Sequence, residues 1–357
     1  MEHSALATPR LYLDHAATTP LLPAARLAMA DGLERWANPS SPHAEGRAAR
    51  AALEDARARI GRALDFEGAI IFTSGATEAI EIVLRRAKAG ARIISAVEHD
   101  AVRRGAGETP RMPASGTGII DPTTPLPDRP LVAVQAVNNE TGVIQPLREH
   151  VAAARAAGGL LLADCAQSAG KMPLPDADFI AVSAHKLGGP PGIGALLVRD
   201  LAMLAACGGQ EQGYRGGTEN LPAILGFAAA LEARTDWLDR ARILRARLDA
   251  AIREAGGIVV ADGAERLPTI ASYRMPGVAA TAQLIRFDLA GIAVSAGSAC
   301  SSGSLKPSHV LAAMGWDEAA AREVVRISFG SDTIESDIDR VTAEWKAIET
   351  SAHRRAA

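Results

Sequence analysis

Five short apolar runs with no polar residue alternating through them constrain this chain most: Arg92 to Val97, Leu131 to Val137, Leu160 to Asp164, Phe179 to Ser183 and Ala195 to Val198. A strand with one wet face alternates apolar and polar residues, whereas a run that is apolar throughout is covered on both faces. A helical segment, Arg148 to Ala157, lies between two of the runs. The pattern predicts a mostly parallel central sheet in an α/β fold. In such sheets ligands gather outside the carboxyl ends of the strands. Polar residues cluster at those ends: Glu98 and His99; Asn138, Asn139 and Glu140; Asp164 and Gln167; Ser183, His185 and Lys186.

At 357 residues with 48% hydrophobic content the chain is long enough for a large domain and a smaller one. The segment Thr235 to Ala255 reads as an amphipathic helix with Trp237, Ala241, Leu244, Leu248 and Ile252 on one face. The expected boundary lies near its start. Residues 14–232 then form the large domain, and residues 1–13 with 233–357 form a smaller α+β domain. The last helix is expected to start from Asp332 as cap, with Glu335 at the box position. A net charge of −3 with both signs interspersed gives no field for nucleic acid or an anionic membrane. The N-terminal stretch lacks the apolar core of a signal peptide and no run is long enough to span a bilayer, so a cytoplasmic protein is expected. Three scattered cysteines, Cys165, Cys207 and Cys300, form neither a disulfide framework nor a C-x-x-C zinc pair.

Within this frame, Phe72 to Glu78 (FTSGATE) follows an apolar pair and opens a helix. Strand, small polar turn and helix start are what converge backbone N–H groups on an anion. Neither G-K-[ST] nor G-x-G-x-x-G is present, which argues against a nucleoside triphosphate and a dinucleotide. The loop Asn38 to His43 reads either as a donor-rich site loop or as a helix cap. Lys186 ends the run Asp178 to Ser183 and precedes a loop rich in glycine and proline. It reads in two ways. In one its stem runs along apolar surface with its ammonium in water; in the other burial frees its amine to form a Schiff base with pyridoxal phosphate. That cofactor asks for a lysine, a carboxylate for the ring nitrogen, a phosphate cup and a group against the ring face. Lys186, Asp164, the Thr73 to Thr77 turn and His99 are candidates for these, each at a strand end.

Taken in order, LYLDHAATTP, NPSSPHAEG, FTSGATE, EHDAV, VNNETGVIQP, ADCAQSAGK, SAHKLGGPPGIGAL, GGQEQGYRGGTEN, SAGSACSSGSLKPSHVLAAMG and VRISFG resemble the cysteine desulfurases of the NifS/IscS-like group. These are class V aminotransferase-like enzymes of pyridoxal phosphate fold type I, and the likeness runs through nearly the whole chain. It implies that Lys186 carries pyridoxal 5'-phosphate, that Asp164 pairs its pyridine nitrogen and that His99 stacks on its ring. Gln167 and Asn139 would lie about the ring hydroxyl. Ala76, Thr77, Ser183 and His185 would hold the phosphate, with Thr218 of a second subunit, so a homodimer is implied. Arg326 would grip the carboxylate of L-cysteine, with Asn38 and Asn139 nearby.

The resemblance makes Cys300 the nucleophile. A single cysteine is by default an inert core position, but Ser298 to Ser304 is small and polar, a poor core segment and a suitable setting for a reactive thiol. The implied reaction converts L-cysteine to L-alanine and leaves the sulfur as a persulfide on Cys300. A scaffold, carrier or tRNA-modifying protein would take it onward. No resident metal is implied, Cys300 at most touching an iron–sulfur cluster in passing. The segment between His99 and Asn138 is shorter than in the family, which leaves the site residues in place and alters surfaces for partners. Rival readings are a selenocysteine lyase, a C–S lyase or a transaminase on the same fold, and a non-catalytic assembly subunit.

Overall fold

The structure, a computed structural model, describes residues 9–297 and 307–356. Its strands, in chain order, are β1 (Leu11–Tyr12), β2 (Ala69–Thr73), β3 (Arg92–Ser95), β4 (Arg111–Met112), β5 (Leu131–Gln135), β6 (Leu160–Asp164), β7 (Phe179–Ser183), β8 (Gly194–Val198), β9 (Ile258–Val259), β10 (Ile270–Arg274), β11 (Ile292–Ala293) and β12 (Val324–Ser328). Seven of them form the central sheet in the order β2-β8-β7-β6-β5-β3-β4. β4, β3, β5, β6 and β7 pair in parallel, while β8 runs antiparallel to both β7 and β2. The sheet is therefore mostly parallel, with one reversed strand that apolar composition alone does not distinguish.

Both faces of this sheet are covered, which accounts for the missing alternation. Ile180 and Val182 of β7 and Ala195 and Leu197 of β8 join one core with Leu53 and Ile60 of the helix Ala44–Leu64 and Phe227 of the helix Leu221–Glu232. Their neighbours Phe179, Ala181, Leu196 and Val198 join the opposite core with Ile80 and Val83 of the helix Ala76–Arg86. A third core surrounds the antiparallel sheet β12-β10-β9, where Tyr273 and Val325 meet Leu248, Phe287 and Trp345. β1 pairs in parallel with β11, and the chain just beyond β1 bridges from Asp14 to Ser328 of β12. Among the described residues no helix is long and apolar enough to cross a membrane.

Two boundaries differ from expectation. The amphipathic helix spans Leu238–Glu254, with Ala241, Leu244, Leu248 and Ile252 buried as the stripe requires. The last helix begins at Glu335, and Asp332 is not its cap: residues 330–333 close a turn of their own, Gly330 donating to the Thr333 hydroxyl at 3.0 Å. The Ile334 N–H is instead taken by Asp337 at 2.9 Å.

Glu211 ties the stretch after β8 to the sheet. Its buried carboxylate accepts from Arg57 Nη1 and Nη2 at 2.8 and 3.0 Å and from the Phe72 N–H at 2.8 Å. Replacing Glu211 by alanine removes the bidentate partner of the Arg57 guanidinium, which keeps Glu54 and the Ile70 carbonyl, and leaves the buried Phe72 N–H without an acceptor. The expected cost is about 3–5 kcal/mol, readable as an early denaturation midpoint in a urea titration; a loss below about 1 kcal/mol would mean the pair is solvated.

Candidate active site

The carboxyl ends of the parallel strands open into a cavity of about 820 Å³. Each strand delivers side chains to it at or just beyond its end. The turn after β2 brings Ser74, Gly75, Ala76 and Thr77; the segment after β3 brings His99; that after β5, Asn139 and Glu140; the end of β6 and the turn beyond it, Asp164 and Gln167; the end of β7 and the turn beyond it, Ser183, His185 and Lys186. The rest of the wall comes from Ser295, Ala296, Gly297 and Arg326 on the third core's side and from Pro307 and from His309, whose helix packs into the first core. Ten of the residues named from sequence therefore share one cavity: Ala76, Thr77, His99, Asn139, Asp164, Gln167, Ser183, His185, Lys186 and Arg326. Asn38 and Thr218 are exposed and do not line it. Cys300 lies outside the described residues.

The helix Ala76–Arg86 starts at the cavity with no side chain capping it. Its N-cap, Gly75, has φ 153° and ψ 178°, a conformation that only glycine adopts readily, and a Cβ there would meet nothing within 4 Å. This uncapped helix start lines the cavity together with Ser183 and His185. Gly194 of β8 packs against this turn so closely that an added Cβ would lie 2.7 Å from Gly75 Cα. Glu78 secures the turn from behind, accepting from the Ser74 N–H and, at 2.9 Å, from Arg215 Nε.

Lys186 closes a short 3-10 turn after β7, and its Nζ donates to the carbonyls of Ala16 and, at 2.9 Å, Ala17. Burial and the nearby Arg326 push its pKa down to about 8, against the pull of Asp164 and Asp14. Its amine is therefore within reach of neutrality near physiological pH. The reading of Lys186 as a lysine with its head in bulk water does not describe this position.

Asp164 is 8% exposed and accepts from the Ala166 N–H at 2.9 Å. Burial raises its pKa despite that bond and the charges of His99 and Lys186. Behind it Glu98 is pushed up to about 8, by burial first and by Asp164 among the other causes. His99 both caps a helix and faces the cavity: its Nδ1 accepts from the Ala101 N–H at 3.2 Å. Its ring is open to the cavity, yet the surrounding protein depresses its pKa, Asp164 opposing. With Nδ1 accepting, the neutral ring carries its proton on Nε2. His185 is held down to about 4 by burial and Lys186, and pairs with the Thr18 hydroxyl at 3.2 Å.

Gln167 donates to the Ala16 carbonyl at 2.9 Å, leaving its buried Oε1 without a partner. An uncapped helix start with hydroxyl and imidazole donors, a buried carboxylate, an amine of lowered pKa and an orphaned amide oxygen together fit pyridoxal 5'-phosphate. In the loop Asn38 to His43, His43 Nδ1 accepts from the Gly46 N–H at 3.2 Å and caps the helix Ala44–Leu64.

Three contacts at the site were not anticipated. Asp14 pairs with Arg326, Glu140 accepts from Ser308 Oγ at 2.6 Å, and His309 bonds the Glu98 carbonyl at 2.8 Å. Asp14 and His309 stand within motifs that carried the resemblance, but no local signal says that His309 lines the cavity or that Asp14 pairs with Arg326.

A cavity built from strand ends around a lysine, with a phosphate-like cup, defines a pyridoxal phosphate site of the α/β type. Residues 11–341 match the model of the family described as Aminotransferase class-V. The chain belongs to that family. It is 38% identical to a cysteine desulfurase of Gluconacetobacter diazotrophicus, the match covering 93% of this chain and 91% of the relative. It is 37% identical to an IscS-like cysteine desulfurase of Mycobacterium tuberculosis over 97% of this chain and 98% of the relative. The structure superposes on a NifS-like protein from Rickettsia africae with a TM-score of 0.87 at 30% identity, covering 96% of this chain and 99% of that one.

Proposed function

We propose that this chain is a pyridoxal-phosphate-dependent cysteine desulfurase, with Lys186 as the cofactor lysine and Cys300 as the sulfur acceptor. The observation that carries the reading is the convergence of Lys186, Asp164, His99 and the open helix start at Gly75 on one cavity, in a chain whose near relatives bear that name. Bound pyridoxal phosphate supplies an electron sink for charge left on the α-carbon when its proton is removed. Asp164 holds the ring nitrogen protonated, and the helix start with Ser183 and His185 holds the phosphate. Arg326 orients L-cysteine by its carboxylate. The Lys186 amine, with its lowered pKa, takes the α-proton, and the Nε2 proton of His99 is available to a developing negative charge.

In the sulfur step the Cys300 thiolate attacks the Sγ of L-cysteine. A new S–S bond forms as the Cβ–Sγ bond breaks, its electron pair stays with carbon, and protonation there, with return of the α-proton from Lys186, yields L-alanine. Cys300 is left as a persulfide for an acceptor protein. Thr218 is exposed and does not line its own chain's cavity, and by the resemblance it would complete the partner's phosphate cup in a homodimer. The proposed working context is the cytoplasm, with delivery to iron–sulfur assembly or tRNA thiolation.

With dithiothreitol present, the cofactor-loaded protein is expected to turn L-cysteine into equal amounts of sulfide and L-alanine. Pyruvate in place of alanine would assign a C–S lyase instead. Cys300→Ala is expected to keep the visible cofactor absorbance while sulfide release falls at least about a hundredfold; unchanged release would remove Cys300 from the mechanism. A purified protein that gains no visible absorbance with added pyridoxal phosphate would favour the assembly subunit.

A further inference from the structure

Arg326 is already engaged where it meets the cavity. Its Nη2 donates to Asp14 Oδ1 at 2.8 Å, its Nη1 donates to the Asn139 carbonyl at 3.0 Å, and its buried Nε has no partner. The residue is 5% exposed, and the paired Asp14 side chain 21%. Asp14 is fixed from two sides: its backbone bridges to Ser328, two residues along β12 from Arg326, and its carbonyl accepts from the Tyr12 hydroxyl at 3.2 Å. An arginine grips a carboxylate with two parallel N–H groups. On the edge made by Nε and Nη2, Nε is idle and Nη2 is held by an internal carboxylate. A ligand carboxylate that approaches this guanidinium therefore meets a charge already paired with Asp14.

We propose that Asp14 is a built-in competitor for the ligand's carboxylate at Arg326, and thereby a residue that sets how tightly and how selectively the cavity holds α-amino acids. This deepens the function argued above and rests on its assignment of Arg326, while nothing in it depends on Cys300. The competition has a chemical use. L-Cysteine and L-alanine carry the same α-carboxylate, so tight binding at Arg326 holds substrate and product alike and does nothing for the chemical step. An internal carboxylate keeps the buried guanidinium paired between turnovers, where an unpaired charge would be costly. It also weakens the hold on the leaving product.

The test is Asp14→Asn, which keeps shape and an acceptor oxygen but removes the competing charge, with Asp14→Ser as a second variant. The cofactor-loaded proteins are titrated with L-alanine, and with ethylamine as an amine lacking the carboxylate, by the change in visible absorbance. The dissociation constant for L-alanine is expected to fall about tenfold in the variants, and that for ethylamine to stay unchanged. Adding Arg326→Gln to Asp14→Asn is expected to abolish the gain. Unchanged or weaker L-alanine binding in both Asp14 variants overturns the proposal, as does equal tightening of ethylamine. Failure of the desulfurase reading shows separately, as absent sulfide release in the unmodified protein with these titrations intact.

Discussion

Lys186→Ala is expected to abolish turnover of L-cysteine, by at least about 10⁴-fold, and to strip the protein of its cofactor on gel filtration. Two losses combine. The covalent hold on pyridoxal phosphate disappears, and so does the group that moves the α-proton. Lys186→Arg separates charge from nucleophilicity, because a guanidinium keeps its proton at every accessible pH. The lysine's pKa of about 8 is set by burial and Arg326, so only an amine benefits from that setting. The arginine variant is therefore expected to be as inactive as the alanine variant, while the carbonyls of Ala16 and Ala17 can still accept from it. Visible absorbance of the retained cofactor and sulfide release from L-cysteine check both. Substantial activity in Lys186→Arg would mean that another amine serves, and Lys171, whose pKa burial lowers to about 8, would be the next residue to replace.

The sheet and the strand-end chemistry were legible because both follow from local composition. Runs such as Phe179 to Ser183 have no wet face, and the structure puts successive residues of β7 in opposite cores. Burial on both faces does not encode direction, so the reversal of β8 could not be read from Ala195 to Val198. The cap of the last helix was misassigned because Asp332 has the right spacing to Glu335, while the Gly330 turn intervenes. At the site, the residues that follow strands were identified, and the resemblance supplied their roles. Asp14 was missed for a different reason. It lies 312 positions before Arg326, and their 2.8 Å pairing exists only once β1 and β12 are brought together. The thiol on which the proposed sulfur step depends lies outside the described residues, so Cys300 rests on its motif and the resemblance that motif carries.

Asp164→Asn is expected to move the cofactor-free and the loaded protein in opposite directions. In the free protein Asp164 is a buried carboxylate whose pKa is raised by desolvation. The unfolded chain ionises it at the ordinary carboxylate value, so folding favours the protonated form. Stability from this group is full below the unfolded pKa and is lost as pH rises through the higher folded value. Asparagine cannot ionise, and its removal of charge also relieves Glu98, which Asp164 helps push up to about 8. The cofactor-free variant should therefore melt no lower than the unmodified protein at neutral pH, with a flatter dependence of melting temperature on pH above the carboxylate range. In the loaded protein the sign reverses, because a protonated ring nitrogen is the charge that repays the buried carboxylate. Losing that pair is expected to cost about 3–5 kcal/mol, which corresponds to about 10²–10⁴ in turnover if it is felt mainly as charge gathers on the ring. Melting curves with and without pyridoxal phosphate, together with L-cysteine turnover, measure both halves. A destabilised cofactor-free variant would show that Asp164 is held by the fold rather than placed for the ring, and near-normal turnover would show that the ring nitrogen is paired elsewhere.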